Sequence, residues 1–376
     1  MNGTHPMLPQ ADHDETAEQL FVRDLKGYIA ADIEPLQAQA ADRLDPGPEH
    51  NARVQTVYAD LHRQEPFRLY ASLRRASQEL LWDAVDRCVG RQGEALNARA
   101  RIDAPRGSLH LDDAFQPPGY VTDADVHLMP GGYAGDPGGV EQGALMDRGG
   151  AVYMLGRNGG LLNDVRGWTL VSHLLSRWPE LRPQRMLELG CGVGASIVPA
   201  ALSYPDAEVH GLDVGASMLR YAHARAEHMG VRVHFHQGDA ERAPFDDGGF
   251  DVVFSCVMLH ETSPTAIGRI ARECHRLLKP GGVVAHLEVP HRYDGLDLWA
   301  KVRAEMEADY NNEPNWKAAT SADHGAVLKA AGFDDVRVGY QDATGSPEPG
   351  NRGFGPHSKG VFRSWFVASG VKRGGR

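Results

Sequence analysis

Two groups of residues in this chain have the types and spacing that chemistry needs. In the first, Met186-Leu187-Glu188-Leu189-Gly190-Cys191-Gly192-Val193-Gly194 is an apolar run that breaks into alternating glycines ahead of a helical stretch. Glycines there let the backbone turn tightly and let a ligand approach with no Cβ in the way. A second apolar run ends in Gly211-Leu212-Asp213, where a carboxylate can accept the hydroxyl protons of a ribose. Gly238-Asp239-Ala240 follows a third run and offers an acceptor to an adenine amino group. Together these read as a site for an adenosine-containing cofactor. Gly190-x-Gly192-x-x-Ala195 also satisfies the dinucleotide fingerprint, so NAD stays open on this loop alone. Glu188 would repel a pyrophosphate and suits a cationic ligand. The second group is His260, in Met258-Leu259-His260-Glu261, and Glu288, in His286-Leu287-Glu288-Val289-Pro290-His291. A carboxylate on one imidazole nitrogen orients the ring and raises its basicity, and the other nitrogen then takes a proton.

The elements that must position these residues show in the hydrophobic pattern. Strands are expected at 185–189, 208–213, 232–237, 251–256, 282–288, 335–340 and 361–368, with helix-length stretches between them. Such alternation implies a mostly parallel sheet covered on both faces, with ligands outside the carboxyl ends of its strands. Residues 1–15 read as a polar tail and 16–110 as a helical N-terminal module. Phe21, Leu25, Tyr28, Ile29 and Ile33 recur at the spacing of one helix face before Pro35 interrupts or kinks it. A later helix carries Tyr70, Leu73, Leu80, Leu81, Ala84 and Cys88. Residues 111–165 form a glycine-rich linker or lid, with twelve glycines between Gly119 and Gly160. Long helices and strands are not expected there. Its His127, Tyr133, Asp147 and Tyr153 favour a lid over a bare linker. Between residues 290 and 321, Leu298, Val302 and Met306 form a helical stripe, which either covers a ligand site or packs on the core.

In order and spacing, Glu188–Gly194, Asp213, Gly238-Asp239-Ala240, Phe250-Asp251-Val252-Val253 and Leu277–Gly282 resemble the class I S-adenosylmethionine-dependent methyltransferases, over residues 166–376. The resemblance implies an α/β fold with a Rossmann-like seven-stranded sheet whose last strand is antiparallel, here behind an N-terminal helical module. It implies S-adenosylmethionine as cofactor, with Glu188, Gly190, Cys191 and Gly192 against its methionine part and Asp213 on its ribose. Val214 and Met218 would flank the adenine, Asp239 and Ala240 would bond its edge, and Ser255 would line the methyl-donor side. Strands four and five are neighbours in this fold, so His260 and Glu288 come within reach of each other. They resemble the His–Glu dyad of polyketide synthase C-methyltransferase domains. The same stretch is also similar to ubiquinone-biosynthesis methyltransferases. The expected reaction is O- or C-methylation of a small organic molecule in secondary metabolism, with Met258, Glu261, His291, Trp299 and Tyr153 contacting the acceptor. Three rivals stay open: a cyclisation releasing methylthioadenosine, an NAD-dependent oxidoreductase and a non-catalytic cofactor-binding scaffold.

Composition narrows the partners. Among 376 residues, 39 Lys+Arg against 50 Asp+Glu give a formal charge of −11, which argues against broad nucleic-acid binding. The four cysteines form no C-x-x-C pair and the histidines show no ligand spacing, so no metal is expected and a reducing, cytoplasmic setting fits. The segment MNGTHPMLPQADHDE has no secretory pattern and no apolar run is long enough for a bilayer. Arg220, Arg225 and Arg232 are expected to be solvated. The expected partner is a small-molecule substrate, not a membrane. The N-terminal helices have three open roles: a homodimer contact, docking of a carrier protein, or closure of the pocket.

Overall fold

The computed structural model describes residues 3–45, 53–289, 296–346 and 353–374. Helix α1 (His13–Tyr28) begins at a capping box, in which the Asp12 side chain accepts from the Glu15 amide and Glu15 accepts from the Asp12 amide. A π-helical turn (Ile29–Ile33) carries it directly into α2 (Glu34–Leu44). Pro35 therefore lies in the first turn of α2, where its missing N–H is no loss, and the interruption expected there takes the form of the π-helical turn just before it. Val22 and Ile29 are buried, but Phe21 and Tyr28, expected inside, are 63% and 57% exposed. Helices α3 (Val54–His62), α4 (Glu65–Gly90) and α5 (Gly93–Arg99) complete the N-terminal helices. On α4, Leu80 faces solvent while Tyr70, Leu81, Ala84 and Cys88 are buried. The expected polar tail is also corrected: His5, Met7 and Leu8 are buried.

Strand β1 (Ser108–His110) precedes the glycine-rich region, whose regular elements are α6 (Gly119–Thr122), a 3₁₀ turn (Val126–Leu128) and α7 (Glu141–Tyr153). The expectation of no long helix fails at α7, and packing gives the reason. A Cβ at Gly143 would collide with Tyr221, and one at Gly149 with Trp82. These glycines let α7 lie close against its neighbours, which offsets their poor helix propensity.

Asp147 anchors α7 from within. Its carboxylate accepts from Tyr221 Oη (2.7 Å), His5 Nε2 (2.8 Å) and Arg225 Nη1 (2.9 Å). Arg225, expected in solvent, is 1% exposed. Burial raises the Asp147 pKa, but Arg225 and His5 outweigh it and hold the group below its ordinary value. Asp147→Ala strands the guanidinium, a change that costs about 3–5 kcal/mol. Urea unfolding is expected to show that loss, and Asp147→Leu/Arg225→Met to recover part of it.

All of the sheet except β1 follows α8 (Val165–Arg177). Strands β2 (Arg185–Leu189), β3 (Glu208–Asp213), β4 (His234–Gln237), β5 (Phe250–Cys256) and β6 (Leu278–Glu288) alternate with α9 (Ile197–Ser203), α10 (Ala216–His228) and α11 (Pro264–Leu277). After β6 come α12 (Leu298–Asn311), α13 (Trp316–Ser321) and α14 (His324–Ala330), then β7 (Phe333–Asp342), β8 (Phe354–Gly355) and β9 (Ser364–Lys372). Among the described residues the order is β1-β4-β3-β2-β5-β6-β9-β7-β8. Strand β9 runs antiparallel to both β6 and β7, as expected of the last strand. Seven strands become nine through the short edge strands β1 and β8. Strand β1 comes from within the range assigned to the helical module, so the sheet reaches across that boundary. The order reverses at β2, between β3 and β5, which places a crevice beyond the carboxyl ends of these three strands. Among the described residues no helix is long and apolar enough to cross a membrane.

Candidate functional site

The loop after β2 turns through Gly190, Gly192 and Gly194, at φ values of +67°, +50° and +78°. Side chains other than glycine rarely adopt such angles. A Cβ on Gly190 would also run into Met258, so this loop and the turn after β5 pack on each other. At the end of β3, Asp213 ties two loops together. Its Oδ2 accepts from the Gly192 amide (2.8 Å) and its Oδ1 from the Gly215 amide (2.9 Å).

Beside these loops lies a cavity of about 700 Å³. Gly190, Cys191, Gly192, Asp213 and Val214 line one part, with Asp239 and Ala240 next to them. Met258, His260, Glu261 and Tyr153 line another. Glu288 stands behind His260, its Oε2 2.7 Å from His260 Nδ1, and its Oε1 accepts from the Leu259 amide (2.7 Å). The register explains the meeting: β5 and β6 are adjacent and parallel, with Cys256 opposite Leu287.

A model described as a methyltransferase domain matches residues 186–282. An uncharacterized methyltransferase of Synechocystis sp. is 36% identical over 154 residues, 41% of this chain and 68% of that protein. The chain is a class I S-adenosylmethionine-dependent methyltransferase. A demethylmenaquinone methyltransferase of Thermus thermophilus is 36% identical over 113 residues (30% of this chain, 50% of that one). A ubiquinone biosynthesis O-methyltransferase of Sodalis glossinidius is 37% identical over 116 residues (30% and 45%). The chain thus spans half or less of these last two.

Four expected site residues of the methyltransferase lie elsewhere. Glu188 does not line the cavity. It is fully buried beneath the glycine loop, where Ser196 Oγ donates to its Oε1 and burial pushes its pKa up to about 8. Met218 is buried in the cluster that includes Tyr221 and Trp82, on the core side of α10. Ser255 is fully buried, its Oγ 2.8 Å from His286 Nδ1, and it is the following residue, Cys256, that reaches the cavity. Trp299 turns to the N-terminal helices, donating to Glu34 Oε1 (3.0 Å) and packing near Tyr70. His291 lies outside the described residues.

Helix α12 serves two faces at once. Leu298, Val302 and Met306 are buried with Tyr58, Phe67 and Tyr70 of α3 and α4. Ala300, Arg303, Ala304 and Glu307 line the cavity. Helices α1, α2 and α4 line it too, through residues such as Lys26, Glu34 and Trp82, so the N-terminal helices wall the pocket.

The acidic and imidazole groups form a connected row, buried at His260 and Glu313 and half-buried at Glu261 and His127. His260 Nε2 is 3.3 Å from Glu261 Oε1, which is 3.1 Å from His127 Nε2 and accepts from Tyr133 Oη (2.9 Å). His127 Nδ1 is 2.8 Å from Glu313 Oε1. Burial disfavours charge on His260, but Glu288 and Glu261 outweigh it and push its pKa up to about 10. Burial likewise works against Glu261, yet His260 and His127 hold it well below the carboxylate range.

Arg166 was not legible as a site residue. It occupies the first turn of α8 and lines the cavity, and its side chain has no hydrogen bond or ion pair among the described residues. Burial pulls its pKa down. The residues present fit S-adenosylmethionine: glycines leave the backbone open, Asp213 and Asp239 offer acceptors, and Arg166 offers an unpaired cation.

Proposed function

We propose that this methyltransferase transfers the methyl group of S-adenosylmethionine to an oxygen or carbon of a small organic molecule, with His260 as general base and Glu288 as its orienter. The observation that carries the reading is the 2.7 Å contact between His260 Nδ1 and Glu288, in a residue that lines the cavity. When bound, the cofactor supplies an electrophilic methyl on a sulfonium, with a thioether as leaving group. Gly190, Cys191 and Gly192 hold its amino-acid part, Asp213 its ribose, and Val214, Asp239 and Ala240 its adenine. Arg166 binds its carboxylate. His260 Nε2 accepts the acceptor's proton once the acceptor displaces Glu261 from that nitrogen. Met258, Glu261 and Tyr153 shape the acceptor's surroundings.

Two features support a small acceptor. The cavity volume falls within the range of small-molecule sites, and its walls include Trp82, Tyr133, Tyr153 and Trp316. The two relatives named for ubiquinone and demethylmenaquinone chemistry also fit this class. Incubation of an acceptor library with methyl-labelled cofactor, read by mass spectrometry, tests the proposal. A labelled product together with S-adenosylhomocysteine is expected, whereas methylthioadenosine as the spent cofactor overturns it. Arg166→Met is expected to weaken S-adenosylhomocysteine binding about 10–100-fold, the loss of one charge-assisted contact. Isothermal calorimetry measures it, and unchanged affinity removes Arg166 from the cofactor site.

A further inference from the structure

We propose that the end of the cavity walled by the N-terminal helices binds a carboxylate of the acceptor on the Lys26 ammonium, so that the substrate is an organic acid methylated at its other end. The inference rests on the acceptor reading above and names the class of acceptor. Lys26 lies on α1 and lines the cavity. Its Nζ donates to Gln78 Oε1 (2.6 Å), and among the described residues it has no ion pair. Gln78 is held for this contact, because its Nε2 donates to the His127 carbonyl (2.9 Å) and so turns its oxygen toward Lys26. An ammonium carries three donors, and Gln78 takes one of them.

The charge balance of the surroundings points the same way. Glu307 accepts from Arg74 (2.9 Å) and Arg303 (3.3 Å), and Glu34 accepts from Arg303 (2.9 Å). The carboxylates of Glu307 and Glu34 are thus engaged by Arg74 and Arg303, and neither accepts from Lys26. A carboxylate on Lys26 supplies the counter-ion that these groups do not, and a half-buried cation gains from one. Burial and the nearby Arg74 pull Lys26 down to about 7 against the opposing pull of Glu307. That is the state of a lysine whose counter-ion is not built into the protein.

The path from this group to the methyl-transfer end is continuous. Lys26 Nζ sits 5.3 Å from the centroid of the Tyr153 ring, whose centroid is 5.2 Å from that of His127. His127 contacts Glu261, and Glu261 contacts His260. An acid anchored at Lys26 therefore extends along Tyr153 to present its nucleophilic atom at His260.

The test uses the full chain saturated with S-adenosylhomocysteine. The probes are 4-hydroxyphenyl alkanoic acids of increasing chain length and their primary amides, followed by calorimetry. At its best length the acid is expected to bind at least tenfold tighter than its amide. Lys26→Met is expected to equalise acid and amide while leaving S-adenosylhomocysteine affinity unchanged, and Lys26→Arg to keep the preference. Equal binding of acid and amide at every length, a preference that survives Lys26→Met, or no binding by either series overturns the inference. Failure of the unsubstituted protein to bind S-adenosylhomocysteine strikes the cofactor assignment instead.

Discussion

Replacing His260 with alanine lowers methyl transfer by about 10²–10⁴-fold, the range contributed by a positioned general base. The substitution is expected to leave cofactor binding in place, because the polar side-chain contacts of His260 go to Glu288 and Glu261 and not to the glycine loop or Asp213. S-adenosylhomocysteine affinity is therefore the internal control for folding. The pH profile gives a sharper test. A base must be unprotonated, and Glu288 and Glu261 push His260 up to about 10 despite its burial. Below that value the neutral ring is the minor form. The rate constant kcat/KM is thus expected to rise with pH across the neutral and mildly alkaline range and to level near 10. Glu261→Gln removes one of the two flanking carboxylates. An opposite charge at such short range moves a pKa by about 1–3 units, so the rising limb shifts to lower pH by that order. Glu288→Gln shifts it in the same direction and also loosens the ring, so kcat falls as well. A limb that stays in place in Glu261→Gln, or full activity in His260→Ala, removes the base role and leaves the fold and cofactor assignments intact.

Much of this site was legible because its strands announce themselves. Strands β2, β3 and β5 are buried on both faces and read as apolar runs, β2 leading into Gly190 and β3 ending in Asp213. The pairing of His260 with Glu288 was legible only through the resemblance, which implies that these two strands are neighbours, and their register bears the adjacency out. The misses came from which way a side chain points. On β5, Ser255 and Cys256 differ by one position, and a period of two sends them to opposite faces. Met218 follows α10 into the core instead of facing the cavity. The glycines of α7 carried a true signal with two meanings. A missing Cβ permits a turn or permits close approach, and only the positions of Trp82 and Tyr221 decide between them. Edge strands β1 and β8 span three and two residues, too few for a periodic pattern. Arg166 and Lys26 belong to no motif. Their importance lies in the partners they lack, and a sequence does not display a missing partner.

Asp213→Ala is expected to weaken S-adenosylhomocysteine binding about 10²–10⁴-fold. Two contributions lie behind that figure. A ribose offers two hydroxyls to the carboxylate, and each hydrogen bond to a charged acceptor is worth about 1.5–3 kcal/mol. The carboxylate also fixes the shape of the cradle, since it holds the Gly192 and Gly215 amides at 2.8 and 2.9 Å. Without it the loops after β2 and β3 lose their common tie, and binding must then order them. Stability moves much less. Burial raises the Asp213 pKa while the amides of Gly215 and Gly192 lower it, so its removal also relieves the cost of a buried charge. The two measurements are therefore expected to separate: a large loss of affinity by calorimetry beside a small shift of the unfolding midpoint without ligand. Asp213→Asn lies between, because the amide keeps one acceptor oxygen but turns an N–H₂ toward a backbone donor. Wild-type affinity in Asp213→Ala removes this carboxylate from the cofactor site. An affinity loss no larger than the stability loss makes it a brace for the two loops and leaves the ribose to other groups.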